Sequence, residues 1–542
     1  MRNVLELYRP ACCWVLLRSS IYGAKPILGC IAMLLLDAPN LDAEQSRTAP
    51  NVLFIVVDDM NDWTSYLKGH PQARTPNLDR FAKESVRFTQ AYCNAPSCNP
   101  SRASVMLGKH PNSTGFYSNK SGNTSIDLRK YYPDKLTLPQ FFRQYGYSTF
   151  RTGKIYHYWG DWADMKVKEE DLSFDAHSWG GGKPLEPSSY LCGIDFGWSF
   201  TKSGKLSYID WGSMDVPSTK FGEYGRASAL IKEINRDHDK PFFAALGFYL
   251  PHLPWYYPSE VLDEPGLSHI RNVEDVMLPA LLANSAVSDI ADLSDLAVRI
   301  SHGGLKPRLL DGSKTYRNWH DAIIGEGKWK EAIQAYLASI YFVDKQLGRV
   351  LDALEKSPHG ENTIIVLWSD HGWMLGEKEA WRKYRPWEDS VRTNFIIKAP
   401  GMPAAAIKNP VELLSIWPTL AELAGLPIKE DLDGRSLVRL MENPSIHWNF
   451  PVVTAHIDES GSGGWQSIRT QRYRYIKYIK TGDEELYDHS KDPNEWINLI
   501  DSSAYVSVRG KLSELVPDKM TPLGSWKAPN DSVAKYNQSN AY

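Results

Sequence analysis

The chain has 542 residues, enough for one large domain, a smaller companion and a well-buried core. Its 61 basic and 64 acidic side chains nearly cancel, a balance that argues against a nucleic-acid-binding or membrane-surface protein. A partner has to be inferred from a site rather than from net charge.

In chain order, the first features are two apolar patches, ACCWVLL at 11–17 and PILGCIAMLLL at 26–36, with Arg18 and Lys25 between them. Together they are shaped like a secretory leader over residues 1–45, so the chain is expected to be secreted or periplasmic. Neither patch reaches the roughly 20 apolar residues of a spanning helix, and no stable membrane insertion is expected. Cys12, Cys13 and Cys30 fall in this leader. Cys93, Cys98 and Cys192 remain, an odd number that requires at least one unpaired or modified thiol. The N-x-S/T triplets at Asn112, Asn119, Asn123, Asn530 and Asn537 are glycosylation sites only in a eukaryotic secretory route.

NVLFIVVDDM at 51–60 is a continuous apolar run ending in two aspartates, the pattern of a parallel strand buried on both faces. TPNLDRFAKESV reads as a helix, TLPQFFRQYGY at 137–147 as another, and PFFAALGFYL at 241–250 as a second buried strand. From about Lys328 to Leu354, Ile333, Tyr336, Leu337, Ile340, Val343, Leu347, Val350, Leu351 and Leu354 recur at helical spacing. NTIIVLWSD at 362–370 is a third buried strand ending in an acid. This alternation predicts an α/β domain over residues 46–445, with a mostly parallel central sheet flanked by helices. Segment 158–224, with YWGDW, SWGGG, FGWSF and DWG, breaks the rhythm and reads as loops around a site mouth. Its tryptophans suit sugar rings, or simply pack the loops. Beyond a boundary near 445, PVVTAHI, SIRTQRYRYIKYI and DEELYDHS predict a smaller α+β domain over 446–542 with a short antiparallel sheet.

The chemistry gathers around CNPSR. Asn99 as N-cap and Pro100 as first helical residue predict a helix running to Gly108, with Cys98 just outside its N-terminus. The helix dipole and Arg102 then make a pocket for a tetrahedral oxyanion, sulfate or phosphate, beside a reactive side chain. The alternative is a structural disulfide from Cys98 to Cys93 or Cys192. Asp58, Asp59 and Asp370 close buried strands, and acids so placed repel unless a cation lies between them, calcium or magnesium by their oxygen chemistry. Lys154, His157, His252 and Lys383 occupy comparable strand ends and loops, suited to holding an oxyanion and moving protons.

CNPSR followed by GKHP resembles the sulfatase signature, in which the cysteine is converted to formylglycine. NVLFIVVDDM, TPNLDRFA, TGKIYH, PHLPWYYP, SDHGWMLGE and ELYDHSKDPNEWINL extend the resemblance over most of the chain. TGKIYH and the Asp-His-Gly triplet resemble the iduronate-2-sulfatase-like and choline-sulfatase-like branch. The resemblance implies an alkaline-phosphatase-like large domain. It makes Cys98, as formylglycine hydrate, the nucleophile, with Arg102 holding the hydrate and the helix entrance. Asp58, Asp59, Asp370 and an oxygen of residue 98 would bind one calcium ion, with His371 as a further ligand. Lys154 and Lys383 would contact sulfate oxygens, His157 would handle the hydrate's proton, and His252 would stand near the departing alcohol. The implied partners are a sulfated oligo- or polysaccharide, uronate-containing like glycosaminoglycans or ulvan, and a formylglycine-generating enzyme. Hydrolysis of phosphate esters or phosphonates, a choline-sulfatase-like action on a small ester, and a catalytically silent carbohydrate-binding relative are the alternatives.

Overall fold

The computed structural model describes residues 49–523 except 122–123, 126–127, 133–134, 158–172, 179, 182–184, 186, 188, 197–208, 280–287, 304–305, 311, 459–462 and 519. The leader, YWGDW, most of FGWSF, parts of SWGGG and the triplets at Asn123, Asn530 and Asn537 lie outside the described residues. Among those residues, no helix is long and apolar enough to cross a membrane.

An eight-stranded sheet organises the described chain. Its strands are β1 (Asn51–Val57), β2 (Val86–Phe88), β3 (Ser148–Gly153), β4 (Ala176–Ser178), β5 (Phe242–Phe248), β6 (Thr363–Ser369), β7 (Phe395–Lys398) and β8 (Ala405–Ile407). They lie in the order β8-β2-β7-β6-β1-β5-β3-β4, and only β7 runs against the others. The three strands expected from sequence, β1, β5 and β6, are its adjacent centre. Side chains alternate across the sheet as the pleat requires. Leu53, Ile55 and Val57 enter one core with helices Gly222–Ile234 and Trp329–Lys356. Val52, Phe54 and Val56 enter the other with helices Cys98–Leu107, Leu138–Gln144 and Ile416–Leu423.

The segment expected as loops around a site mouth is in part regular. Its described residues include β4, an edge strand of the central sheet, and Trp211–Met214, which pairs with Trp255–Pro258.

Four antiparallel strands near the C-terminus, β9 (Val452–Asp458), β10 (Gly463–Arg469), β11 (Tyr473–Tyr478) and β12 (Glu484–Asp488), form the expected second sheet. SIRTQRYRYIKYI holds the end of β10 and all of β11, because Thr470–Arg472 turns the chain between them. One face buries Val453, Ile468, Tyr475 and Leu486 against Leu512 and Val516. Val452, Trp465, Ile476, Tyr478 and Tyr487 instead join the core beneath the central sheet. Residues 45–542 accordingly form one compact unit.

Buried charge crosses that junction. Arg474, fully buried, bonds to both Glu388 and Glu495, and its Nη1 donates to Ser467 Oγ at 2.9 Å. His489 Nε2 lies 2.8 Å from Glu495 Oε1. Trp387 Nε1 donates to Glu485 Oε2 at 2.9 Å. The C-terminal sheet thereby grips the loop Trp381–Trp387, which carries Lys383.

Candidate active site

The site lies outside the carboxyl ends of the central strands, where the exposed ends of parallel strands leave a crevice. Asp58 and Asp59 follow β1, Lys154 follows β3, His252 lies beyond β5, and Asp370 and His371 follow β6. Asp59 adopts φ +58°, a left-handed conformation that is uncommon for a non-glycine residue and turns the chain sharply at the strand end.

The cysteine-bearing helix starts two residues earlier than the capping pattern suggests. Ser97, with extended φ −159°, is the N-cap, so Cys98 is the first helical residue and Pro100 the third. A proline is tolerated in this first turn because its missing N–H has no partner there in any case. Asn99 does not cap; its N–H donates to Asn119 Oδ1 at 2.9 Å. Every residue of the helix is buried, and Gly108 ends it at φ +64° with its N–H on Ser104 O. That left-handed backbone is the conformation that favours glycine at the end of a helix.

Cys93, Cys98 and Cys192 are all buried free thiols, which removes the disulfide alternative. Cys98 Sγ lies 2.9 Å from Lys383 Nζ, 3.4 Å from His371 Nε2 and 3.7 Å from Asp59 Oδ1. Burial and the neighbouring Asp58 push its thiol well above the usual range, against Lys154 and Lys383. A thiol held protonated in this way is a poor nucleophile.

Arg102 braces the floor. Its Nη2 donates to Asp58 Oδ1 at 3.0 Å, its Nε to Asp370 Oδ2 at 2.9 Å, and its Nη1 to the carbonyls of Lys154 and Ile155. One guanidinium thus ties together the ends of β1, β3 and β6. Lys154 Nζ also pairs with Asp58. Burial opposes ionisation of Asp58, but Lys154, Arg102 and His252 prevail and hold it well below the usual carboxylate range.

The other two acids behave oppositely. Asp59 is pushed up to about 6, chiefly by burial and also by Asp58, against the pull of Lys383 and Lys154. Asp370 is pushed up to about 7 by burial and by Asp58, against Arg102. Crowded buried carboxylates of this kind call for further positive charge. Asp58, Asp59, Cys98 and His371 each offer a ligand atom, all within 4.8 Å of one another. Asp59 Oδ2 is buried without a hydrogen-bond partner. His371 Nδ1 donates to Gly372 O at 2.9 Å, which fixes the tautomer and aims the lone pair of Nε2 into the cluster. The donor set therefore fits a metal ion. Asp370 stands beside it, its Oδ1 accepting backbone N–H groups of Asp59 and His371, each at 3.1 Å.

His252 and His157 are both buried, and burial, Lys154 and Lys383 hold both well below the usual histidine range. His252 Nδ1 donates to Leu253 O at 2.5 Å, leaving Nε2 to face Asp59 Oδ2 at 3.9 Å. Lys383 Nζ also contacts Asp59 Oδ1 at 2.6 Å. Against the cost of burial, Asp59 and Cys98 keep Lys383 protonated. All ten residues singled out from sequence thus lie in one buried charged region.

A family model described as sulfatase matches residues 50–426. The chain belongs to the sulfatase family. A second model, N-sulphoglucosamine sulphohydrolase, C-terminal, matches residues 376–521. The chain is 35% identical to a sulfatase of Formosa agariphila, with 86% of each chain covered. It is 26% identical to an ulvan-active sulfatase of the same organism, over 95% of this chain and 91% of the relative. It is 29% identical to iduronate 2-sulfatase of Mus musculus, over 70% and 69%. A solved structure in complex with its substrate, D-glucosamine-2-N,6-O-disulfate, shares the fold at TM-score 0.64 and 22% identity, covering 86% of this chain and 96% of that one. This sulfatase is accordingly a sulfuric ester hydrolase with an alkaline-phosphatase-like architecture.

Sequence reasoning missed two neighbours of the site. Asn119 Oδ1 accepts from Ser97 Oγ at 2.6 Å as well as from Asn99, bracketing Cys98, and its Nδ2 donates to the Tyr384 hydroxyl at 3.1 Å. In the sequence Asn119 shows only as a glycosylation triplet. Its burial, like that of Asn112, is structural. Tyr384 carries no signal beyond adjacency to Lys383.

Proposed function

We propose that this sulfatase removes sulfate from a uronate-containing oligo- or polysaccharide, using Cys98 matured to formylglycine by a dedicated enzyme. The observation that carries the reading is the place of Cys98. It sits at the head of a buried helix, among Asp59, His371 and Lys383, as a thiol too buried to ionise. A formylglycine hydrate supplies there an oxygen nucleophile and a spare hydroxyl through which sulfate can leave. The activities named for two relatives, on ulvan and as iduronate 2-sulfatase, support an anionic sugar.

Asp58, Asp59, His371 and residue 98 would hold calcium, with Asp370 alongside, and the ion would supply positive charge to sulfate oxygens. Lys154 and Lys383 bring two more cations to the same oxygens. His252 Nε2 is the atom positioned to protonate the departing sugar oxygen. Sulfate between the lysines offsets their effect on the imidazole and raises its proton affinity when the proton is needed. His157, beside Lys154, takes the proton from the hydrate's second hydroxyl. The apolar leader supports export to the periplasm or outside the cell.

Mass spectrometry of the peptide spanning Cys98, from protein co-expressed with a maturation enzyme, is expected to show the aldehyde or its hydrate. Release of sulfate from a sulfated uronate oligosaccharide, with aryl phosphate turned over far more slowly than aryl sulfate, is expected alongside. An unmodified thiol in fully active protein would refute the formylglycine reading, and preference for aryl phosphate would refute the sulfatase one.

A further inference from the structure

The loop that delivers Lys383 also carries a second cation. Lys383 is buried, while Arg382 and Tyr384 on either side are half-buried. Both flanking residues hold left-handed backbone, φ +81° and +78°, which costs roughly 1–3 kcal/mol each for a non-glycine residue. These bends bring their side chains together. Arg382 Cζ lies 5.5 Å from the centre of the Tyr384 ring and 4.8 Å from that of Trp319. The Tyr384 hydroxyl accepts from Asn119, which in turn bonds to the residues before and after Cys98. Tyr384 N–H donates to Pro96 O at 3.0 Å. Arg382 therefore stands one tyrosine ring away from the head of the helix that bears the nucleophile.

Its electrostatic setting differs from that of Arg102, Arg392 and Arg474. Opposite Arg102, Arg392 and Arg474 stand carboxylates that outweigh burial and raise the guanidinium above its ordinary value. Arg382 is lowered, because burial outweighs the pull of Tyr384 and the more distant Asp59. Aromatic rings engage the flat faces of a guanidinium, whereas a carboxylate is recognised by its N–H edge, so the two are compatible on one side chain.

We propose that Arg382 recognises a carboxylate on the sugar that bears the scissile sulfate. This rests on the reading that the chain acts on sulfated sugars, and it makes the uronate a requirement of this chain's own residues. The planar fork matches a carboxylate in two parallel hydrogen bonds. A sulfate held by Lys383 and a carboxylate held by Arg382 would then be read by adjacent residues of one loop.

The test is titration calorimetry on the non-reacting Cys98→Ala protein with three ligands. These are a sulfated uronate, the same sugar with the carboxylate reduced to a hydroxymethyl group, and a neutral disulfated sugar. The protein with Arg382 is expected to prefer the uronate to its neutral counterpart, and Arg382→Gln is expected to lower that preference by about tenfold or more. Arg382→Lys should recover only part of it, since an ammonium lacks the fork. An absent preference with Arg382 in place, or one that survives Arg382→Gln, would overturn the proposal. So would tightest binding of the disulfated neutral sugar. Aryl sulfate turnover by the matured enzyme separates the two readings. No turnover with the uronate preference intact would sink the hydrolytic reading and support the assignment of Arg382.

Discussion

Lys383 Nζ lies 2.9 Å from Cys98 Sγ and 2.6 Å from Asp59 Oδ1, linking the head of the cysteine helix to the acid cluster through a residue from a distant loop. One ammonium thus faces both the position where sulfate would be attacked and an acid that a cation would share. Replacing it with an apolar side chain of similar length removes a preorganised positive charge from the reaction centre. For Lys383→Met, kcat/KM on aryl sulfate is expected to fall by about 10²–10³. Stability should change little, because Asp59, already pushed up to about 6, can accept a proton instead of remaining a bare buried charge. Thermal unfolding and steady-state kinetics on the same preparation check both halves.

Arg102 is a different kind of cation. It faces Asp58 with Nη2 and Asp370 with Nε and has no exposed surface, so its removal strands two buried acids at once. Arg102→Leu is expected to cost roughly 3–5 kcal/mol of stability in addition to activity. Urea unfolding should therefore separate the two variants, Lys383→Met near wild type and Arg102→Leu well below it. Equal destabilisation would contradict their assigned roles.

The acid cluster predicts how a bound cation and pH interact. Asp59 and Asp370 are raised from an ordinary 3.8 to about 6 and about 7, so folding favours their protonated forms. That contribution is present at low pH and is lost as pH rises through these values. Calcium competes with those protons, so its addition to chelator-treated protein should raise Tm more at pH 8 than at pH 5. Activity lost on chelation should return with calcium. A calcium-induced shift in Tm that is independent of pH would argue that the ion binds elsewhere.

Much of this was legible in the chain itself. NVLFIVVDD and NTIIVLWSD announce buried parallel strands because nothing polar interrupts them, and their terminal acids land together because neighbouring parallel strands end on the same side. The capping pattern places the start of the cysteine helix two residues late because Asn-Pro fits it well, while the acceptor for the Asn99 N–H comes from Asn119, twenty residues on. The aromatic wall around Arg382 was hidden for the same reason. Trp319 reaches Arg382, and Asn119 reaches Tyr384, only in the folded chain, and none of their local sequences has a periodicity to mark it. Nor does the sequence show that the C-terminal sheet holds the Lys383 loop, because that link depends on charges from β10, β11 and the turn after β12.

This last link can be tested through acid sensitivity. Burial would push Glu388 up, but Arg469, His489, Arg474 and Arg392 together hold it well below its ordinary 4.5, and Glu495 is lowered by Arg474 and His489. A lowered carboxylate contributes stability that is present above its unfolded value and lost as pH falls through and below it. Tm should therefore drop as pH is taken from 5 towards 3. Arg474→Met leaves Glu388 and Glu495 buried with the partner they share gone, and is expected to cost roughly 3–5 kcal/mol at neutral pH. Without the arginine both acids protonate more readily, which relieves the unpaired charge. The stability gap between variant and wild type should then narrow as pH falls, and thermal unfolding across that range measures it. A gap that widened on acidification would show that Arg474 does not act by holding these two acids ionised.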